Sequence, residues 1–127
     1  MDRYFFVFLG GGMGAVARYV VGTFVARFYS STFPLATFLI NVTGSFLIGI
    51  LMTLFQNRPA LHPDWRLFLV TGILGGYTTF SSFEWEALMA FQNGAAFIAF
   101  SYLSGSALLG LGADWLGWFV SSRLLAQ

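Results

Sequence analysis

Residues 75–83 read Gly-Gly-Tyr-Thr-Thr-Phe-Ser-Ser-Phe, a hydroxyl-rich and helix-unfriendly run set inside an apolar stretch. Glycine and β-branched threonine both lower helix propensity. If the surrounding stretch crosses a membrane, backbone groups freed at such a break cannot face lipid, because each unsatisfied N–H or C=O in hydrocarbon costs several kcal/mol. They must line protein or a polar cavity. The feature therefore predicts a membrane helix broken midway, with the freed groups available to handle an ion.

Composition places the chain in a membrane. It is 57% hydrophobic and 9% charged over 127 residues, against roughly 25% charged in soluble domains. The runs between Arg27 and Arg58, Arg66 and Glu84, and Glu86 and Asp114 are apolar nearly all round, as lipid-solvated helices are. Net charge is +1 and all six basic residues are arginines, so no basic patch points to nucleic acid. Cysteine is absent, which excludes disulfides and thiolate metal sites. The N-terminus reads as a first transmembrane helix rather than a cleaved signal, because its apolar stretch continues for about a full span.

Breakers divide residues 1–127, a single integral membrane domain, into four segments. The first runs from about Tyr4 to Phe28 and the second from about Leu35 to Phe55. Both reach the roughly 20 residues that cross a core of about 30 Å. A polar loop with His62, Asp64 and Arg66 leads to the third, and Asn93-Gly94 separates it from a fourth, about Ala95 to Val120. In the third, Leu67 to Gly76 makes only about 15 Å of helix before the break, which puts the break near the midplane. Helix resumes with Ser81-Ser82-Phe83-Glu84, a capping-box pattern in which Ser81 would take an amide and Glu84 would reach back. The amide end of this half-helix suits a small anion and the carbonyl end of the preceding one a hard cation.

Several side chains are candidates for that chemistry. Phe80 and Phe83 are spaced to put both rings on one side of the break, where positive ring edges can line an anion path; ordinary packing is the competing reading. Thr37, Asn41 and Ser45 share one helix face, either lining a pore or joining helices by hydrogen bonds. Tyr102 and Ser106 repeat that spacing on the fourth segment, followed by Gly110. Gly10, Gly14, Arg18 and Gly22 form a ridge on the first, in which the glycines read as close helix packing. Arg18, about 21 Å along from Tyr4, must pair, snorkel or face a vestibule. Asp114 beside Trp115 and Trp118 reads as headgroup depth, and His62 is assigned neither metal nor catalysis. No nucleophile triad, metal cluster or nucleotide fingerprint stands out, so the chain does not read as an enzyme.

Three segments carry a family resemblance: residues 11–19 (Gly-Gly-Met-Gly-Ala-Val-Ala-Arg-Tyr), 37–45 (Thr-Phe-Leu-Ile-Asn-Val-Thr-Gly-Ser) and 72–83, which ends in the break. In them the chain resembles the Fluc (CrcB) fluoride channels of microorganisms, over nearly its whole length. The resemblance implies an all-α membrane protein of four transmembrane helices, the third broken. It further implies an antiparallel, dual-topology homodimer in the cell inner membrane, with two fluoride pores and a role in fluoride resistance. Carried over by residue, Asn41, Thr79, Phe80, Ser81, Phe83, Tyr102 and Ser106 would line the fluoride path, and Arg18 would lie near the vestibule. Backbone carbonyls of Gly75 and Thr78 would hold a structural Na+ at the dimer centre.

The chain departs from that pattern at Ala36, Glu84 and Gly110, where relatives commonly carry glycine, serine and, in some, a pore serine. The rival class is a proton-coupled small multidrug transporter, which needs a carboxylate within the first helix. A non-transporting assembly subunit would leave the break unexplained. Arg3, Arg58, Arg66 and Arg123 fall on one side and Arg27 on the other, which by itself favours a cytoplasmic N-terminus, whereas the resemblance implies both orientations.

Overall fold

The structure, a computed structural model, describes residues 2–126. It is all helical among them. Helix α1 is Asp2–Phe28, α2 is Leu35–Asn57, α3 covers residues 63–77, α4 is Ser81–Gln92 and α5 is Ala96–Leu125. Helices α1, α2 and α5 are each long and apolar enough to cross a membrane, and α3 with α4 forms the broken third segment. The four predicted segments are present, with ends extended by a few residues: the second reaches Asn57 and the fourth reaches Leu125.

Local chemistry explains the boundaries. Pro34 closes the loop before α2, and Pro63 begins α3 at a position where its missing N–H removes no helix bond. His62 caps α3, its Nδ1 accepting the Asp64 amide at 3.3 Å. Helix α4 ends in a left-handed turn at Gly94, φ +80°. There the Ala95 amide donates to Ala90 O at 2.9 Å and the Gly94 amide to Phe91 O at 3.1 Å, a pairing that stops a helix and fits glycine.

Helix α3 is not plain α-helix. Pro63–Arg66 is α-helical, Leu67–Leu74 winds as a wider π-helix and Gly75–Tyr77 closes with an α turn. The Gly75 amide reaches Val70 O, five residues back. The half-helix before the break thus starts earlier and is wound differently from the α-helical Leu67–Gly76 that the sequence suggests.

Two seams hold the bundle. In the first, α1 runs parallel to α3 with backbones in contact, since a methyl on Gly14 would strike the Ile73 carbonyl and one on Gly76 the Gly11 carbonyl. Gly10 and Gly72 pack on each other in the same way. Gly22, the last member of the predicted ridge, faces open space. In the second seam, the most extensive one, α2 runs parallel to α5. A methyl on Gly117 would strike the Phe46 carbonyl, and Ser121 Oγ donates to Ile50 O at 3.3 Å. Large apolar side chains such as Phe8, Val16, Phe97, Phe100 and Leu111 point outward, as lipid-facing residues do.

Candidate functional site at the helix break

At the break Thr78 turns extended, φ −76° and ψ 160°, and ends α3. Its amide and hydroxyl both return to Leu74 O, at 3.0 and 2.8 Å. The next residue cannot pair within the helix, and Asn41 on α2 takes it up. Asn41 Oδ1 accepts the Thr79 amide at 2.9 Å while Asn41 Nδ2 donates to Thr79 O at 2.9 Å. One side-chain amide thereby replaces a helical partner on each side of Thr79, which is buried. The diversion has a second effect: Gly75 O does not receive the Thr79 amide, four residues on, that a continuous helix would supply.

The start of α4 corrects the predicted capping box. Phe80, not Ser81, precedes the helix, and its carbonyl accepts the Glu84 amide at 3.0 Å. Thr79 does the capping, its hydroxyl accepting the Ser82 amide at 3.3 Å and donating to Ser82 Oγ at 3.1 Å. Ser81 already lies within the helix and is exposed, and Glu84 is exposed and makes no capping hydrogen bond. The side chain with the right reach was one residue before Phe80.

Beside the break lies a cavity of about 440 Å³. It brings together Asn41 and Ser45 of α2, Thr79, Phe80 and Phe83 of the break, and Ser106 of α5, and Gly75 and Thr78 also line it. No charged side chain lines it. Ser106 Oγ is buried there without a protein partner. Ser45 lies against Gly110, where a methyl would stand 3.5 Å from its hydroxyl oxygen. Phe80 and Phe83 have ring centroids 6.0 Å apart at 42°, and Phe80 is 69% exposed on the single chain.

Tyr102 sits elsewhere than predicted. It is wholly buried, off the cavity wall, between Phe33 at 5.5 Å and Phe83 at 5.0 Å, both edge-to-face. Its hydroxyl donates to Glu86 Oε2 at 2.7 Å, and Thr37 Oγ1 donates to Glu86 Oε1 at 2.8 Å. Thr37 is thus diverted from the predicted stripe with Asn41 and Ser45. Glu86 is the residue that sequence reading missed. Its signal was a carboxylate flanked by Ala87, Leu88 and Met89 in an apolar helix, which requires buried donors. Arg18 is half-buried on α1, does not line the cavity, and has no carboxylate within 4 Å among the described residues.

The sequence as a whole matches a known family. The sequence profile described as CrcB-like protein, Camphor Resistance (CrcB), matches residues 5–118. The chain belongs to the CrcB family. It is similar to a protein of Solibacter usitatus named fluoride-specific ion channel FluC, 46% identical over 95% of this chain and 99% of that one. A protein of the same name from Acidobacterium capsulatum is 47% identical over 98% of this chain and 99% of the relative. One from Flavobacterium psychrophilum is 40% identical over 98% and 100%. For a CrcB protein the uncharged cavity at the break offers hydroxyls, helix-start amides and ring edges, donors that suit a small, strongly hydrated anion.

Proposed function

We propose that this CrcB protein is a passive, fluoride-selective channel that lets cytoplasmic fluoride leave the cell, with no reaction catalysed. The single observation that carries the reading is the cavity at the break, which gathers Asn41, Ser45, Thr79 and Ser106 among apolar neighbours and has no charged side chain on its wall. Fluoride can enter only if its hydration is replaced, and hydroxyls, amides and aromatic edges do so without a formal charge that would trap it. Asn41 holds Thr79 so that the first turn of α4 opens on the cavity. The amides of that turn beyond those of Thr79 and Ser82 remain for the ion, together with the Ser106 hydroxyl. Phe83, braced by Tyr102, and Phe80 supply ring edges. Ser81 adds a hydroxyl toward the open side, and Arg18 draws anions toward a vestibule.

The working unit in this reading is an antiparallel homodimer inserted in both orientations in the inner membrane, with two pores. Its support is the exposure of Phe80 and Gly75 on a single chain, which leaves both for a second copy to cover. The donors also fit a sodium ion. A hard cation takes oxygen ligands, and Gly75 O lacks its helical amide at the carbonyl end of α3, three residues before Thr78. Sodium, when bound, would supply positive charge there; Gly75 and Thr78 would hold it through their backbones.

Purified protein in fluoride-loaded liposomes tests the reading. Release of fluoride with little chloride, unaffected by an imposed proton gradient, is the expected result. Drug-coupled proton movement, or equal passage of chloride, would overturn it. Reporters fused to the C-terminus should be active on both sides of the membrane, and a single orientation would refute dual topology.

A further inference from the structure

Asp114 is the one carboxylate of α5, and nothing in the mechanism above uses it. Its position continues the register of that mechanism. On α5, Ser106, Gly110 and Asp114 follow at four-residue spacing and so share a face. On α2, Asn41, Ser45 and Gly49 do the same, and the two rows meet: Ser45 lies against Gly110, and Asp114 lies against Gly49. A methyl on Gly49 would stand 2.7 Å from Asp114 Oδ1, so the carboxylate rests on bare glycine backbone. The cavity wall on α2 extends to Ile48, one residue short of that contact. Gly49 is eight residues beyond Asn41, about 12 Å along the helix, and the neighbouring Trp115 and Trp118 are exposed as interfacial residues are. Asp114 therefore stands at one mouth of the path.

No described residue neutralises it there. Helix α2 has no titratable residue between Leu35 and Asn57, and its nearby Thr53 donates its hydroxyl to Gly49 O instead. On α5 the next charge is Arg123, whose guanidinium lies over the Phe119 ring at 5.1 Å. Arg58 follows the end of α2, and Glu84 and Glu86 are on α4, with Glu86 bound at the opposite end of the path to Thr37 and Tyr102. Among the described residues no cation lies within 4 Å of Asp114.

We propose that Asp114 is a throughput-setting residue: a fixed negative charge at one mouth that thins fluoride locally and slows its entry. Charges at a channel mouth concentrate ions of the opposite sign, so a carboxylate here works against the permeant anion. The inference rests on the fluoride-channel reading. It also has a signature that a structural role lacks, because a charge at a wet mouth is screened by salt, with a screening length that falls from about 30 Å at 0.01 M to about 3 Å at 1 M.

The test is fluoride efflux from liposomes at constant fluoride with potassium sulfate varied across that range. Wild-type flux should rise with ionic strength, on the order of threefold. Asp114→Asn should start at the higher rate and stay flat, Asp114→Glu should keep the wild-type salt dependence, and Asp64→Asn, in the first turn of α3, should leave it unchanged. Wild-type flux that ignores salt would overturn the proposal without any variant, as would Asp114→Asn retaining the wild-type slope. Absence of fluoride flux from the wild type would instead sink the channel reading itself.

Discussion

Both seams of the bundle are closed by glycine, yet one is dry and the other carries the polar groups. Between α1 and α3, Gly10, Gly14, Gly72 and Gly76 bring backbone onto backbone, and the ion pair of Arg3 with Asp64 lies at the far end of the two helices. Between α2 and α5, Gly49 and Gly117 make equally close contacts, but Thr37, Asn41, Ser45, Tyr102 and Ser106 lie along the same two helices. In hydrocarbon, close packing holds helices together without help from the hydrophobic effect. The first seam can therefore be rigid support, and the second can hold polar groups apart from lipid while the broken helix presents its own groups to them. The contrast separates residues whose loss should unfold the protein from residues whose loss should silence it.

The largest effect is expected in the dry seam. Gly14→Val would place a side chain on the Ile73 carbonyl, and backbone cannot rotate away as a side chain can. Destabilisation should reach or exceed about 3 kcal/mol, seen as loss of the folded peak in detergent chromatography. Gly22→Ala, one ridge position further but in open space, should change thermal stability by less than about 0.5 kcal/mol. Equal damage from both would erase the distinction between seam and surface.

Asn41→Ala comes next. It strands the Thr79 amide and carbonyl together, at about 1–3 kcal/mol for each unsatisfied group. Fluoride flux should fall by at least about tenfold, with the helices retained by circular dichroism. Unchanged flux would mean that the break holds its shape without α2.

Tyr102→Phe keeps the ring between Phe33 and Phe83 but removes one of the two donors to Glu86. A hydrogen bond to a charged group contributes about 1.5–3 kcal/mol, so melting temperature should drop measurably while the protein still assembles. Thr37→Val should do the same through the other oxygen, and the pair should be non-additive in a double-mutant cycle.

Smallest is the effect of ring chemistry. Phe80→Ile keeps bulk and apolarity but removes the ring edge, a contribution of about 0.5–1.5 kcal/mol. Flux should fall several-fold without loss of stability, since Phe80 is largely exposed on the single chain. Phe83→Ile should lower both, because Phe83 also packs on Tyr102. A folded double variant with normal flux would remove the rings from the mechanism.

Much of this molecule follows from local rules. Apolar runs of spanning length, Pro34 before α2, the Gly94 turn and the break at residues 75–83 each depend on a few neighbouring residues, so they are legible along the chain, whereas Pro63 starts a helix where the sequence reads as loop. The glycine ridge was legible for the same reason, apart from Gly22. What tertiary structure decided are pairings between distant faces. Asn41 meets Thr79 across 38 positions, and Glu86 meets Thr37 across 49. Helical spacing says that Thr37, Asn41 and Ser45 share a side of α2, but not that each meets a different partner: a carboxylate, a broken backbone and a bare glycine. The same applies to Thr79 capping α4 in place of Ser81, because the angle at which the chain leaves Thr78 determines which hydroxyl reaches the free amides. A hydrogen bond is short and directional, so its partner depends on how the helices rotate and settle against one another, and glycine contacts set that packing through the whole bundle.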